Sequence, residues 1–160
     1  MEQVKETMLV TKEAFVAVGL KWVGTFAGAA AGEIRALHTE IINRVHEIKH
    51  VINPDKLLGL SNHINGEDGF THYGVVEVSQ VEDIPEGMIT IELPTLTYAK
   101  CEHRKGQTID ASYNNIYSWI ERNGYKQHAG DVTHFEIMPM DQDPYTSEPE
   151  FDILIPVEVR

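Results

Sequence analysis

The segment His134-Phe135-Glu136-Ile137-Met138-Pro139-Met140 alternates in character, and the chain then closes with Phe151-Asp152-Ile153-Leu154-Ile155-Pro156-Val157. Both runs read as strands, joined by a loop bearing Asp, Pro and Ser from Asp141 to Pro149, so they predict a hairpin. Side chains on a strand point alternately to opposite faces. Phe135 and Ile137 therefore share one face, and His134, Glu136 and Met138 the other. Upstream, Tyr113, Ile116, Tyr117 and Ile120 are spaced i, i+3, i+4, i+7, which is an amphipathic helix pattern, and Gly124 stands where a C-terminal cap belongs. Before it, Thr97 to His103 reads as extended. The second half of the chain is thus strand, helix, strand, strand.

The first half repeats that order. Ala14 to Leu20 is rich in β-branched and aromatic residues and reads as a strand. Gly24 to Gly32 reads as a loop or lead-in to a helix, and Ile34, Leu37, Ile41, Val45 and Ile48 predict that helix over about 34 to 50, with Pro54 as a barrier to its continuation. Two strands follow at Lys56 to His63 and Thr71 to Val81, around a turn at 65–69 whose glycines and Asx residues favour reversal. A turn at Pro85-Glu86-Gly87 leads into a strand at Ile89 to Leu93. Leu58-Gly59-Leu60 stands before Tyr73 (73 − 59 = 14) as Phe135-Glu136-Ile137 stands before Phe151 (151 − 136 = 15), with one residue inserted. Neither half alone could bury much core.

The predicted fold class is therefore α+β: duplicated strand-helix-strand-strand modules with pseudo-twofold symmetry, antiparallel sheets with one helix packed per module, and a central groove. One domain over 1–160 is expected, with module one at about 14–82 and module two at about 88–159. If the helices cover the face of Phe135 and Ile137, Glu136 is left on the open face. There a carboxylate among aromatic residues would suit an organic cation.

Charge narrows the function. The 160 residues carry 13 Lys plus Arg against 25 Asp plus Glu, for a formal net charge of −12. No basic stripe appears, which argues against direct nucleic-acid binding. With 42% apolar and 24% charged residues the composition is that of a globular protein. No apolar run has spanning length and the first residues lack the pattern of a secretory signal, so a cytoplasmic location without membrane association is expected. The single cysteine, Cys101, excludes an internal disulfide and a multi-cysteine zinc site, and reads as an inert strand residue.

His46-Glu47-Ile48-Lys49-His50 satisfies H-E-x-x-H, in which two histidines one helical turn apart bind zinc. Pro54 follows closely, no third ligand is evident, and a solvated helix end is the preferred reading, with neither metal nor cofactor expected. Nucleophile-elbow, P-loop and dinucleotide motifs are absent. Tyr113, Tyr117 and Trp119 read first as core packing, with Tyr113 and Trp119 able to edge a cavity.

The ordered set Pro54 to Gly59, Tyr73 to Val78, Ile84 to Met88, Leu93-Pro94 through Tyr98-Ala99, Tyr113 to Trp119, His134-Phe135-Glu136 and Phe151 to Val157 resembles the GyrI-like small-molecule-binding family. That family supplies the effector-binding domain of AraC-type and multidrug-sensing bacterial transcription regulators. The resemblance runs from about Ala14 to Val159. It implies a ligand groove between two modules, with Glu136 as the partner of lipophilic cations. It further implies aromatic partners at Phe151 and Tyr73, and Tyr113, Tyr117 and Trp119 beside the groove. With about 13 residues before the first strand, a stand-alone member without the DNA-binding segment is expected. The Gly- and Ala-rich stretch from Thr25 to Gly32 departs from the more polar segment usual in the family.

The expected function is capture of amphipathic cationic or aromatic small molecules. Two alternatives stand beside it: a hydrolase of reactive electrophiles in which Glu136 is the catalytic residue, and a module that binds a protein partner as gyrase-inhibitor-like members do.

Overall fold

A computed structural model describes residues 7–63, 69–128, 130 and 132–159. The elements in chain order are β1 (Met8–Lys12), β2 (Phe15–Thr25), α1 (Phe26–Ala30), α2 (Glu33–Arg44), β3 (Lys56–His63), β4 (Gly69–Val78), β5 (Ile89–Leu93), β6 (Leu96–His103), α3 (Ile109–Arg122), β7 (Tyr125–Gln127), β8 (His134–Pro139) and β9 (Phe151–Val159). All strand pairings are antiparallel and join one sheet in the order β1-β6-β9-β8-β3-β4-β2-β5, with β7 on β9. The order mirrors itself about the β3–β8 pair: β4, β2 and β5 on one side answer β9, β6 and β1 on the other. This is the α+β, pseudo-twofold arrangement expected from the repeat.

Alternation sorts the apolar residues onto two faces, and both faces are buried. On one, Leu58, Leu60, Val75, Tyr98, Phe135 and Leu154 form a cluster with Ala17 and Leu93. On the other, Val18, Leu57, Val76 and Val78 pack beneath Ile41 of α2, while Ala99, Ile153 and Ile155 pack beneath Ile116 and Ile120 of α3. The first face carries no helix and is closed by the sheet itself. Phe15 on β2 lies three strands from β8, about 14 Å away on a flat sheet. Its ring nevertheless stands 5.9 Å from that of Phe135. Tyr98, two strands from β8 on the other side, meets Phe135 edge-on at 5.7 Å. The sheet therefore curls around its helix-free face, as right-handed twist allows over many strands.

The helices cover the face of Met138, His134 and Glu136, and the face of Phe135 and Ile137 is the self-packed one. The condition considered above, helices over Phe135 and Ile137, is therefore not met. Alternation identifies which residues share a face, but with both faces buried it does not say which face a helix takes.

Several boundaries also differ. The helix expected to 50 ends at Arg44, and Val45–Glu47 is a single 3-10 turn. Strand β4 captures the backbone beyond it: Ser79 N–H donates to the His50 carbonyl at 2.9 Å and Ile52 N–H donates to the Glu77 carbonyl at 3.0 Å. His46 is thus outside the helix and His50, at φ 65°, points Nε2 to Glu82 at 2.8 Å, so the two histidines are not presented one helical turn apart. Residues 79–81, expected in a strand, follow the end of β4. Gly24 to Gly32, expected as a loop or lead-in to a helix, does lead into α2, but as the end of β2 and the short α1, capped by the Thr25 hydroxyl accepting from Gly28 N–H at 2.9 Å. Strands β1 and β7 were not foreseen; β1 is an edge strand whose Met8 and Leu9 are exposed, which leaves little alternation to read. Of the turn expected at 65–69, residues 65–68 lie outside the described residues and Gly69 opens β4. Among the described residues no helix is long and apolar enough to cross a membrane.

Two substitutions test the curled core. Phe135→Ala removes a fully buried ring and should lower unfolding stability by about 3–5 kcal/mol in a denaturant titration. The Tyr98 hydroxyl is buried with no hydrogen-bond partner among the described residues, and burial pushes its pKa up to about 12. Tyr98→Phe should therefore be neutral or stabilising by about 1 kcal/mol, against the loss expected if that hydroxyl were bonded.

Candidate functional site

A cleft of about 390 Å³ opens between α2 and α3 on the helix-bearing face. Its floor is set by strand register. Glu136, Gly59, Gly74 and Leu20 stand abreast across β8, β3, β4 and β2, and His134, Ser61, His72 and Trp22 form the next row on the same face. Two glycines beside Glu136 leave the floor low. A Cβ at Gly59 would stand 3.0 Å from Met138 Cε and 3.2 Å from His72 Cε1, and one at Gly74 would stand 3.3 Å from His38 Cδ2. The missing side chains give the imidazoles their room.

Helix α3 supplies the wall on one side. Thr108 caps it by accepting from Ala111 N–H at 3.1 Å, and its apolar stripe of Ile116 and Ile120 anchors it to the sheet. Tyr113 and Tyr117, i and i+4 on that helix, project over β8. Tyr113 donates to Glu136 Oε2, and the Tyr117 hydroxyl lies 2.8 Å from His134 Nε2. The other wall is α2, from which His38 Nε2 meets His72 Nε2 at 2.8 Å, while His72 Nδ1 meets Ser61 Oγ at 2.7 Å. Ile34, Phe70, Ile109 and Asp110 complete the lining. No Lys or Arg lines the cleft among the described residues.

The electrostatics follow from burial. Removal from water pushes the Glu136 carboxyl above its usual range, against which the Tyr113 hydrogen bond works in the opposite direction. Burial first, and then the neighbouring carboxylate, raise Tyr113 well above the ordinary phenol value and raise Tyr117 as well, so both remain neutral. Burial lowers His38 to about 4. In the His38–His72 contact one ring donates and the other accepts, and a proton added to the accepting ring would set two N–H groups against each other.

Of the six residues expected at the groove, Glu136, Tyr113 and Tyr117 are brought together. Tyr73 is not; it faces the self-packed side of the sheet with Leu60 and Phe135. Phe151 is on the Glu136 face but buried beneath α3 with its ring 4.9 Å from that of His103. Trp119 packs flat on Tyr125, 6.0 Å between centroids, away from the cleft. His38, His72, Ser61, His134 and Phe70 were not singled out as site residues. The legible signal was parity: Ser61, His72 and Phe70 occupy positions on β3 and β4 that share a face with apolar neighbours.

His38 makes the fold sensitive to acid. Its folded pKa lies below the unfolded value, so the unfolded chain binds more protons between about 6.5 and about 4, and stability falls as pH drops through that window. His38→Gln should flatten that decline by up to about 3 kcal/mol, read from urea midpoints across the range; an unaltered slope would mean His38 titrates normally.

Comparisons with known proteins bear on the family and the fold. The family model described as integron-associated effector binding protein (Cass2) matches residues 8–157. The transcriptional regulator BrlR of Pseudomonas aeruginosa is 28% identical over 153 residues, covering 93% of this chain and 54% of BrlR, so the chain spans about half the length of that curated relative. The structure of SAV2435 bound to tetraphenylphosphonium superposes with a TM-score of 0.69 at 16% identity, over 96% of this chain and 94% of that one. The EcmrR C-terminal domain gives 0.70 at 15% identity, over 97% and 98%. At these identities the two structures establish a shared fold, and the fold matches the GyrI-like resemblance seen in the residues. With its family model matched over nearly the whole length, this chain belongs to the integron-associated effector binding protein (Cass2) family, a family of small-molecule effector-binding domains.

Proposed function

We propose that this domain binds amphipathic organic cations in the cleft between α2 and α3, with Glu136 as the counter-charge. The observation that carries the reading is a half-buried carboxylate with a phenol donor but no Lys or Arg among the described lining residues. Burying a carboxylate without a cation is costly, and an incoming cation recovers that cost, which makes charge the basis of selection. Asp110 adds a second carboxylate at the mouth. The rings of Tyr113 and Tyr117 can each contribute about 0.5–2 kcal/mol of cation–π attraction. The overall charge of −12 concentrates cations around the protein. SAV2435, of like fold, is described with tetraphenylphosphonium bound, which supports a lipophilic cation as the ligand class.

Affinity should depend on pH in a defined direction. In the free protein the Glu136 pKa is raised, and a bound cation favours the ionised form. Affinity is therefore full above the raised value and falls as pH drops through it.

Glu136→Gln should weaken tetraphenylphosphonium binding by about tenfold or more, equivalent to about 1.4 kcal/mol, in isothermal titration, and should remove most of the pH dependence. Unchanged affinity would take Glu136 out of the site. The same variant should melt at a higher temperature than the parent protein at neutral pH, because the amide still accepts from Tyr113 without a buried charge. Tyr113→Phe removes the donor that holds the Glu136 pKa down, so the pH at which binding is half lost should move upward. Incubation with alkylating compounds separates capture from hydrolysis: stoichiometric recovery of intact compound fits capture, and accumulating product detected by mass spectrometry fits the hydrolase.

A further inference from the structure

The segment from Thr25 to Gly32, which includes α1, builds onto one end of the cleft. Phe70 of β4 lines the cleft two residues beyond His72 on the same face. Against it stand two more aromatic rings. Phe26, the first residue of α1, stacks on Phe70 at 4.9 Å and 29° between planes, and Trp22 of β2 meets Phe70 at 5.1 Å and 61°. Trp22 is held in place by its indole N–H, which donates to Glu33 Oε1 at 3.2 Å at the start of α2. The turn between α1 and α2 is made by Gly32 at φ 102°, a conformation that favours glycine. Phe26 remains 46% exposed at the outer end of this stack.

Strand geometry gives the separation of the two ends. Phe70 lies four residues along β4 from Gly74, which stands abreast of Glu136 two strands away. That is about 13 Å along the strands and about 10 Å across them, or about 16 Å between backbones. The side chains of Glu136 and Phe70 line the same cleft. A compact cation seated on Glu136 does not reach the stack; an elongated one does.

We propose that Trp22, Phe26 and Phe70 form a second, aromatic subsite of the cleft, which takes the distal ring of an elongated cation and so selects rod-like ligands over compact ones. This rests on the reading of Glu136 as the counter-charge. Flat rings gain from offset or edge contacts with other rings, and the exposed Phe26 and the cleft-lining Phe70 offer such contacts without reorganisation of the fold.

The test uses two probes with one head group: N-methylpyridinium alone, and N-methyl-styrylpyridinium, which carries a phenyl ring at the far end of a rigid rod. Phe26→Ala and Phe70→Ala should each weaken the rod by about fivefold while leaving the head group alone unchanged within about twofold. Glu136→Gln should weaken both probes. In a Trp119→Phe background, which leaves Trp22 as the single indole, the rod should quench tryptophan emission and the head group should not. Loss of affinity for both probes alike in the phenylalanine variants, or for neither, overturns the subsite. Glu136→Gln leaving both probes unchanged instead overturns the counter-charge. Phe26 is exposed enough for its variant to fold, so it decides the matter if Phe70→Ala does not.

Discussion

Everything in this fold turns on the pairing of β3 with β8. Among the described residues it is the ladder that joins the two halves of the sheet across its centre, with Gly59 opposite Glu136 and Ser61 opposite His134. Because the strands are antiparallel, a twofold-like arrangement follows, and each half brings its helix to the same face. The cleft is the gap left between those helices. A glycine at the central position keeps it open: a Cβ at Gly59 would crowd Met138 and His72.

The two faces of the sheet divide the work. One is closed by curling, with Phe135 gripped between Phe15 and Tyr98, and it supplies apolar burial without any helix. The other carries α2 and α3, and here polar groups are tolerated because they satisfy one another. Tyr113 with Glu136, Tyr117 with His134, and His38 with His72 and Ser61 form pairs and chains rather than isolated buried groups. The exception in sign is Glu136, whose charge has a donor but whose pKa is still raised by burial. Under the proposed function, that cost in the free protein is what makes charge the basis of selection.

The aromatic stack at the mouth extends the same logic. In the proposed reading, charge is met at one end of the cleft and ring surface at the other, so length is a criterion alongside charge. Members of this fold with a different segment between their first strand and first long helix would present a different mouth over a similar floor. That short connection lies apart from the β3–β8 ladder, so it can vary without disturbing the pairing of the two halves.

How far the residues alone could be read depends on the range of the forces involved. Alternation and helical spacing are local, so the strands at 56–63, 89–93 and 151–159, the helix around Tyr113 to Ile120 and the repeated element order were legible, as was the shared face of His134 and Glu136. The early end of α2 was not, because β4 captures the backbone of His50 and Ile52, a contact far along the chain. Nor were the positions of Tyr73, Phe151 and Trp119, which local pattern cannot assign to one side of a sheet buried on both. Residue order by itself determined the α+β repeat and the shared face of His134, Glu136 and Met138. Only tertiary structure decided which face the helices cover, because that choice is made by the curl of the whole sheet, which buries Phe135 against Phe15 and Tyr98 and leaves Glu136 between the helices.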